Sequence, residues 1–222
     1  MTRYAMVIDL TRCIGCTACI AACKMKNGLP KGVQWNNMVY DEQGTYPNVR
    51  RLLMPKACQQ CADPPCVKVC PTGASHKRAD GIVLVDYSKC IGCKYCIAVC
   101  PYDARQFIPG LQPYYQSGLT PLELTWQAQH QTGVVEKCTF CADKIDAGVA
   151  QGLKPGVDRD ATPSCVITCP TSARIFGDLD DPKSAVSAFV NNRHAIPILP
   201  ELGTNPSTFY IPPSRPASKG VF

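Results

Sequence analysis

Apolar residues crowd together at residues 4–10 and again at residues 81–86, where Gly81 leads into Ile82-Val83-Leu84-Val85 and the run closes on Asp86. Each run is short and apolar, and each predicts a β-strand. Two further runs, Ala18-Cys19-Ile20-Ala21-Ala22-Cys23 and Tyr95-Cys96-Ile97-Ala98-Val99-Cys100, are rich in helix formers and apolar residues and predict a helical turn. Residues 37–54 read as a hairpin in which Met38-Val39-Tyr40 and residues 49–54 flank the turn-rich Asp41-Glu42-Gln43-Gly44. Residues 122–129 predict a short helix inside a long proline-bearing stretch, 107–135, whose length suits contact with a partner. Helices are also predicted over 142–152, ending at glycine, and over 182–192, opening on proline. From residue 196 to residue 222 the chain is proline-rich without a period, which predicts an extended tail lying over a surface, its own or a partner's.

The pattern repeats. Ile14-Gly15 recurs as Ile91-Gly92, and Pro71-Thr72-Gly73-Ala74 recurs as Pro170-Thr171-Ser172-Ala173. What repeats is cysteine: there are 16, in four quartets. Cys13, Cys16, Cys19 and Cys23, and likewise Cys90, Cys93, Cys96 and Cys100, read C-x2-C-x2-C-x3-C, the spacing of bacterial two-cluster ferredoxins. Cys58, Cys61, Cys66 and Cys70 have two extra residues between the second and third member. Cys138 and Cys141 are separated by a long insert from Cys165 and Cys169. Proline follows the last cysteine of three quartets, as Pro71, Pro101 and Pro170; only Cys23 is followed by lysine.

The spacing has a physical reason. Three thiolates two residues apart on a looping backbone can turn onto three corners of one cubane. The fourth lies where the chain has begun a helical turn, and it is carried toward the neighbouring cluster of a pair. Four quartets therefore make two such paired units, and spacing alone permits either first with second and third with fourth, or first with fourth and second with third. A disulfide framework belongs to short secreted domains without a core, and structural zinc favours two C-x2-C pairs or cysteine with histidine, of which this chain has only 3. Four 4Fe-4S clusters use every cysteine.

Composition changes the picture in two ways. Forty-five per cent hydrophobic and 18% charged residues are ordinary for a globular chain, while 20 prolines and 16 glycines mean long irregular stretches. Much of the ordering then has to come from metal ligation, so the cluster-free chain is expected not to fold. The formal charge of +6 is scattered in pairs such as Arg50-Arg51 and Lys77-Arg78, which argues against nucleic acid as a partner. Clusters answer it instead, since each 4Fe-4S core with four thiolates carries about −2. No segment approaches the length of a membrane span. The first ten residues lack an apolar signal region, so export, if any, is expected to depend on a partner.

No nucleophile elbow, phosphate loop, zinc-protease helix or dinucleotide fingerprint occurs, and His76, His130 and His194 are isolated. No catalytic residue is expected. Lys24, Lys68, Lys89, Lys94 and Lys137 stand beside ligands and are candidates for tuning cluster potentials. Ile14, Ile20, Val67, Ile91, Ile97, Val99 and Val166 are candidates for shielding the clusters from water.

Four stretches carry a family likeness. Met6-Val7-Ile8-Asp9, Cys66-Val67-Lys68-Val69-Cys70-Pro71-Thr72-Gly73-Ala74, Glu136-Lys137-Cys138-Thr139-Phe140-Cys141 and Ala173-Arg174-Ile175-Phe176-Gly177-Asp178-Leu179-Asp180-Asp181-Pro182, with Glu201-Leu202-Gly203-Thr204-Asn205-Pro206 near the end, resemble the four-cluster iron-sulfur subunit of dimethyl sulfoxide reductase-family molybdopterin oxidoreductases. Polysulfide, thiosulfate, tetrathionate and arsenate reductases have such subunits. The resemblance implies an α+β fold of two bacterial-ferredoxin-like two-cluster modules. Module A comprises residues 1–30 and 131–195, and module B residues 55–110. Residues 31–54 form a hairpin insert, 111–130 a loop insert and 196–222 an extended tail.

It also implies the pairing. One cluster takes Cys13, Cys16, Cys19 and Cys169, and its neighbour takes Cys138, Cys141, Cys165 and Cys23. In the other module Cys58, Cys61 and Cys66 join Cys100, while Cys90, Cys93 and Cys96 join Cys70. By the same likeness, module A faces a molybdopterin-containing catalytic subunit and module B a membrane subunit that handles quinol. The expected function is relay of single electrons between them in anaerobic respiration, without catalysis by this chain. The expected place is the periplasm or the periplasmic face of the membrane, reached with a partner bearing a twin-arginine leader; a cytoplasmic location is the alternative. The same wire serving a hydrogenase or a soluble formate dehydrogenase, and a zinc-stabilised structural module, are the competing readings.

Overall fold

A computed structural model describes residues 2–116, 118–192 and 195–213. The chain starts in β1 (Tyr4–Asp9), enters α1 (Ala18–Lys26) and leaves it for a long hairpin, β2 (Asn36–Thr45) and β3 (Asn48–Ala57). Short elements follow: α2 (Pro65–Lys68), β4 (Ser75–Lys77), β5 (Val83–Val85), α3 (Tyr95–Ala98) and β6 (Arg105–Phe107). After α4 (Pro121–Gln127) come β7 (Val135–Lys137), α5 (Ala142–Ala150), α6 (Ser164–Ile167), β8 (Arg174–Asp178), α7 (Ala185–Asn192) and β9 (Thr208–Ile211).

β1 is buried along its whole length because it is the middle strand of a three-stranded sheet ordered β8-β1-β9. It pairs antiparallel with β8, Val7 opposite Ile175, and parallel with β9, Val7 opposite Phe209. Side chains alternate across a strand, so both faces of this apolar run must be covered. Tyr4, Met6 and Ile8 pack into the main core with Ile82, Phe140, Ile145, Phe176 and Tyr210. Ala5 and Val7 pack on the other side with Val186 of α7 and Ile211. The main core draws on both ends of the chain and on its middle, and Tyr4 stacks on Phe176 at 5.7 Å between ring centroids.

The other sheets are two-stranded: β2 with β3, β4 with β5 and β6 with β7. Helices and strands are thus mixed, as an α+β fold requires. Three of the helices, α2, α3 and α6, are single turns that stop short of Cys70, Cys100 and Cys169. The residue before a proline is driven out of the helical region, and each of these cysteines precedes one. Cys23 does not, and α1 runs through it to Lys26.

Three expectations are corrected. The hairpin turn lies at Tyr46-Pro47, and Asp41 to Gly44 are paired strand residues, with Gly44 opposite Val49. The protruding ladder needs only backbone partners, so polar side chains are tolerated there, and Gly44 admits Asn48 O where a Cβ would come within 2.1 Å of it. α7 begins at Ala185 because Asp181 accepts the Lys183 N–H at 2.9 Å and holds Pro182-Lys183 in a turn, while Ser184 Oγ accepts from Val186 N. The described part of the tail, as far as residue 213, does more than lie over a surface. Its strand β9 is built into the sheet, and Tyr210 is fully buried, donating to Pro55 O at 3.3 Å and accepting from Gln59 Nε2 at 3.3 Å. Residues 214–222 of the expected tail lie outside the described residues.

Candidate metal centre

The two C-x2-C-x2-C loops share one backbone course. Gly15 and Gly92 have φ of +67° and +66°, and the residues just past the middle cysteine, Thr17 and Lys94, have φ of 59° and 64°. Left-handed residues on both sides of the middle cysteine curl the loop around one cavity. Gly92 has a second constraint: a Cβ there would meet Gly133 O at 2.2 Å.

Facing each loop is a cysteine from elsewhere in the chain. Cys13, Cys16, Cys19 and Cys169 wall one cavity with Ile8, Met38, Pro55 and Arg174. Cys90, Cys93, Cys96 and Cys70 wall another with Ser75, Val85 and Val135. Cys23 neighbours Cys165 and Cys141, and Cys138 neighbours Cys23 and Cys165. Cys61 neighbours Cys58, Cys66 and Cys100. All sixteen cysteines are free thiols.

Burial, reinforced by nearby thiols, pushes Cys23 and Cys61 up to about 12 and raises Cys138 well above the usual thiol range. Burial likewise raises Cys165, against the Arg174 charge that lowers it. Burial opposes ionisation at Cys70 and Cys169 too, yet their hydrogen bonds prevail and both are lowered. Ser75 N donates to Cys70 Sγ at 3.4 Å and Ala173 N to Cys169 Sγ at 3.3 Å, with Thr72 and Thr171 hydroxyls alongside. The repeated Pro-Thr-x-Ala therefore supplies donors to the crossing cysteine.

The fit to iron-sulfur clusters rests on these voids and donors. Soft thiolates suit such clusters. Among the described residues no three His, Cys, Asp or Glu side chains draw together around a point where one ion would sit. The thiols are instead spread around cavities.

Of the lysines singled out by position, Lys137 is 1% exposed, with its ammonium donating to Val83 O and, at 2.9 Å, to Cys138 O. Lys24, Lys68 and Lys89 are engaged elsewhere, and Lys94 lines the nest of Cys93. Lys24 donates to Pro30 O and Val33 O, Lys68 pairs with Asp63, Lys89 with Asp86, and Lys94 lies over the Phe107 ring at 4.0 Å. Sequence reasoning missed two buried arginines. Arg105 Nη2 donates to Cys66 Sγ at 3.0 Å and its Nη1 to Ser75 Oγ at 2.9 Å. Arg174 Nη1 reaches Met6 Sδ at 3.3 Å and Cys165 Sγ at 3.7 Å, and Nη2 donates to Asn36 Oδ1 at 3.0 Å. Both stand five residues beyond a quartet's last cysteine, in Cys-Pro-x-x-Ala-Arg, a signal that was there to be read.

Among the apolar shielding candidates, Ile14 and Ile91 are 62% and 67% exposed, so they collar the nests from outside instead of burying them. His130 is buried between Glu136 Oε1 at 2.7 Å and Asn27 O at 2.9 Å, and His76 Nδ1 lies 3.1 Å from Ala74 O, so neither reaches a nest. His194 lies outside the described residues.

Thiols gathered in this way define an iron-sulfur protein of the 4Fe-4S type, and residues 49–109 match the model of the 4Fe-4S dicluster domain. The B subunit of the sulfite dehydrogenase of Allochromatium vinosum is 42% identical over 96% of this chain and 84% of its own length. The B subunit of the tetrathionate reductase of Salmonella typhimurium is 39% identical over 94% of this chain and 72% of its own length, and the arsenate respiratory reductase iron-sulfur subunit of a Shewanella strain is 36% identical over 94% and 96%. The chain belongs to the family of iron-sulfur subunits of dimethyl sulfoxide reductase-type molybdopterin oxidoreductases. It is an electron-transfer subunit of that class.

Proposed function

We propose that this chain relays single electrons through four 4Fe-4S clusters between a molybdopterin catalytic subunit and a membrane quinol-handling subunit or another redox partner. The observation that carries the reading is the linear order of the cysteine nests. The nest of Cys138 adjoins that of Cys58, with Gln60 Nε2 donating to Cys138 O at 2.8 Å. At the two ends lie Cys16 and Cys93, the two exposed members of the sixteen, beside the exposed Ile14 and Ile91. Electrons can cross to a partner only where a cluster nears the surface, and an apolar collar suits a contact that excludes water.

In this reading Cys13, Cys16, Cys19 and Cys169 hold the first cluster, and Cys138, Cys141, Cys165 and Cys23 the second. Cys58, Cys61, Cys66 and Cys100 hold the third, and Cys90, Cys93, Cys96 and Cys70 the last. The first two belong to a module of residues 1–30 and 131–195 facing the catalytic subunit. The other two belong to a module of residues 55–110 facing the membrane subunit. The clusters supply one-electron carriers; the chain holds them, excludes water and sets their charge environment. No helix among the described residues is long and apolar enough to cross a membrane, which suits a chain docked on an anchor subunit. The location is the periplasm or its membrane face, reached already folded with a partner carrying a twin-arginine leader.

Anaerobic purification should give a brown protein with roughly sixteen irons per chain, and reduction with dithionite should bring out spin-resonance signals of four 4Fe-4S clusters. A colourless protein, or one with zinc in place of iron, overturns the reading.

A further inference from the structure

The row of nests has three gaps, and each contains a buried cation. Arg174, 4% exposed, reaches Cys165 of one nest while its charge also acts on Cys19 and Cys13 of the next. Lys137 is bonded to the carbonyl of Cys138 and to that of Val83, which packs with Cys66 across the middle gap. Arg105, 3% exposed, bonds Cys66 on one side and, on the other, Ser75, which lines the nest of Cys90, Cys93 and Cys96.

A buried cation is costly without an anion beside it. Among the described residues none of the three forms an ion pair with Asp or Glu; the carboxylate nearest in sequence, Glu136, is turned to His130. Carbonyls, Ser75 and Asn36 satisfy some of their N–H groups but supply no charge. The negative groups within reach are cysteine sulfurs. The internal repeat places the two arginines alike, and at the position matching Arg105 in the other half of its module stands Ser75, the acceptor of its Nη1.

We infer that Arg174, Lys137 and Arg105 are positioning counter-charges, one in each gap of the wire, each raising the reduction potential of the two clusters it separates. The inference rests on the four-cluster reading. Reduction adds one electron, and so one negative charge, to a cluster; a fixed cation in a dry gap favours that form, and N–H bonds to sulfur act in the same direction. A gap cation also links its two neighbours, because it is shared between them.

The test is a redox titration of the cluster-loaded chain followed by spin resonance. R174Q should weaken reduction of the two clusters held by quartets one and four at least tenfold, about 59 mV for a one-electron couple. K137Q should act likewise on the inner pair and R105Q on the pair of quartets two and three, with the remaining clusters displaced by less than threefold. The charge-keeping R174K, K137R and R105K should retain near-native potentials. An even shift over all four clusters, a shift on the wrong pair, or none in a fully loaded variant overturns the inference. If a glutamine variant loses iron, its charge-keeping partner decides. Loading with near-native potentials supports the charge role, and loss of iron in both shows that packing alone is served. Four signals absent from the unmodified chain would instead defeat the four-cluster reading itself.

Discussion

The thiols of this chain are not equivalent before metal arrives. Cys23 and Cys61 are held protonated by burial, whereas Cys70 and Cys169 are eased toward thiolate by amide and hydroxyl donors. Binding must therefore expel protons from the dry nests, which ties metal affinity to pH and to folding. The crossing of Cys169 is testable by C169S. That variant should alter the spin-resonance signal of the cluster held by Cys13, Cys16 and Cys19, and damage limited to the Cys138 and Cys141 cluster would refute the pairing. At this scale the cysteines were legible because spacing encodes them. The gap cations were legible only in part, since a lysine's position in sequence does not say where its long stem points. Lys24, Lys68 and Lys89 bond elsewhere, Lys94 lines the nest of Cys93 with its ammonium over the Phe107 ring, and Lys137 lies against Cys138. Arg105 and Arg174 could have been found by extending the proline repeat by one residue.

Elements were readable where local chemistry decides them. Residues 4–10 and 81–86 contain strands, residues 142–152 are largely helical, and Thr120 caps α4 through a reciprocal pair with Glu123, at 2.7 Å from Thr120 N to Glu123 Oε2. The hairpin turn was misplaced because Asp-Glu-Gln-Gly has turn chemistry but is paired along an exposed ladder. One contrast among the quartets is decided by a single residue. Cys23 lacks the following proline, so α1 continues for a further turn and Asn27 Nδ2 can donate to Cys23 O at 2.8 Å. K24P would give the first quartet the proline ending of the other three. It should destabilise the loaded protein by roughly 3 kcal/mol, the cost of proline inside a helix, read as a lowered midpoint in chemical unfolding. An unchanged midpoint would mean that the last turn of α1 contributes nothing to the fold.

At the scale of the whole molecule the ends of the chain close the structure. β1 lies between β8 and β9, and Tyr210 ties β9 to the hairpin through Pro55 and Gln59, one residue from Cys58. That closure was not legible, because β9 is short and sits in a proline-rich stretch; its partner strand lies at the far end of the chain, where no local pattern points to it. It bears on the proposed route of export. The nest of Cys13 is completed by Cys169, so it exists only when the chain is folded. A chain threaded through a membrane unfolded would arrive with its thiols separated and no nest to hold a cluster. The proposed route, travel in the folded, loaded state attached to a partner that carries a twin-arginine leader, avoids this. Deleting that catalytic partner should leave the iron-loaded chain in the cytoplasm on cell fractionation. Recovery of folded, loaded chain from the periplasm of the deletion strain would show that it travels independently, and the shared-export proposal would fall.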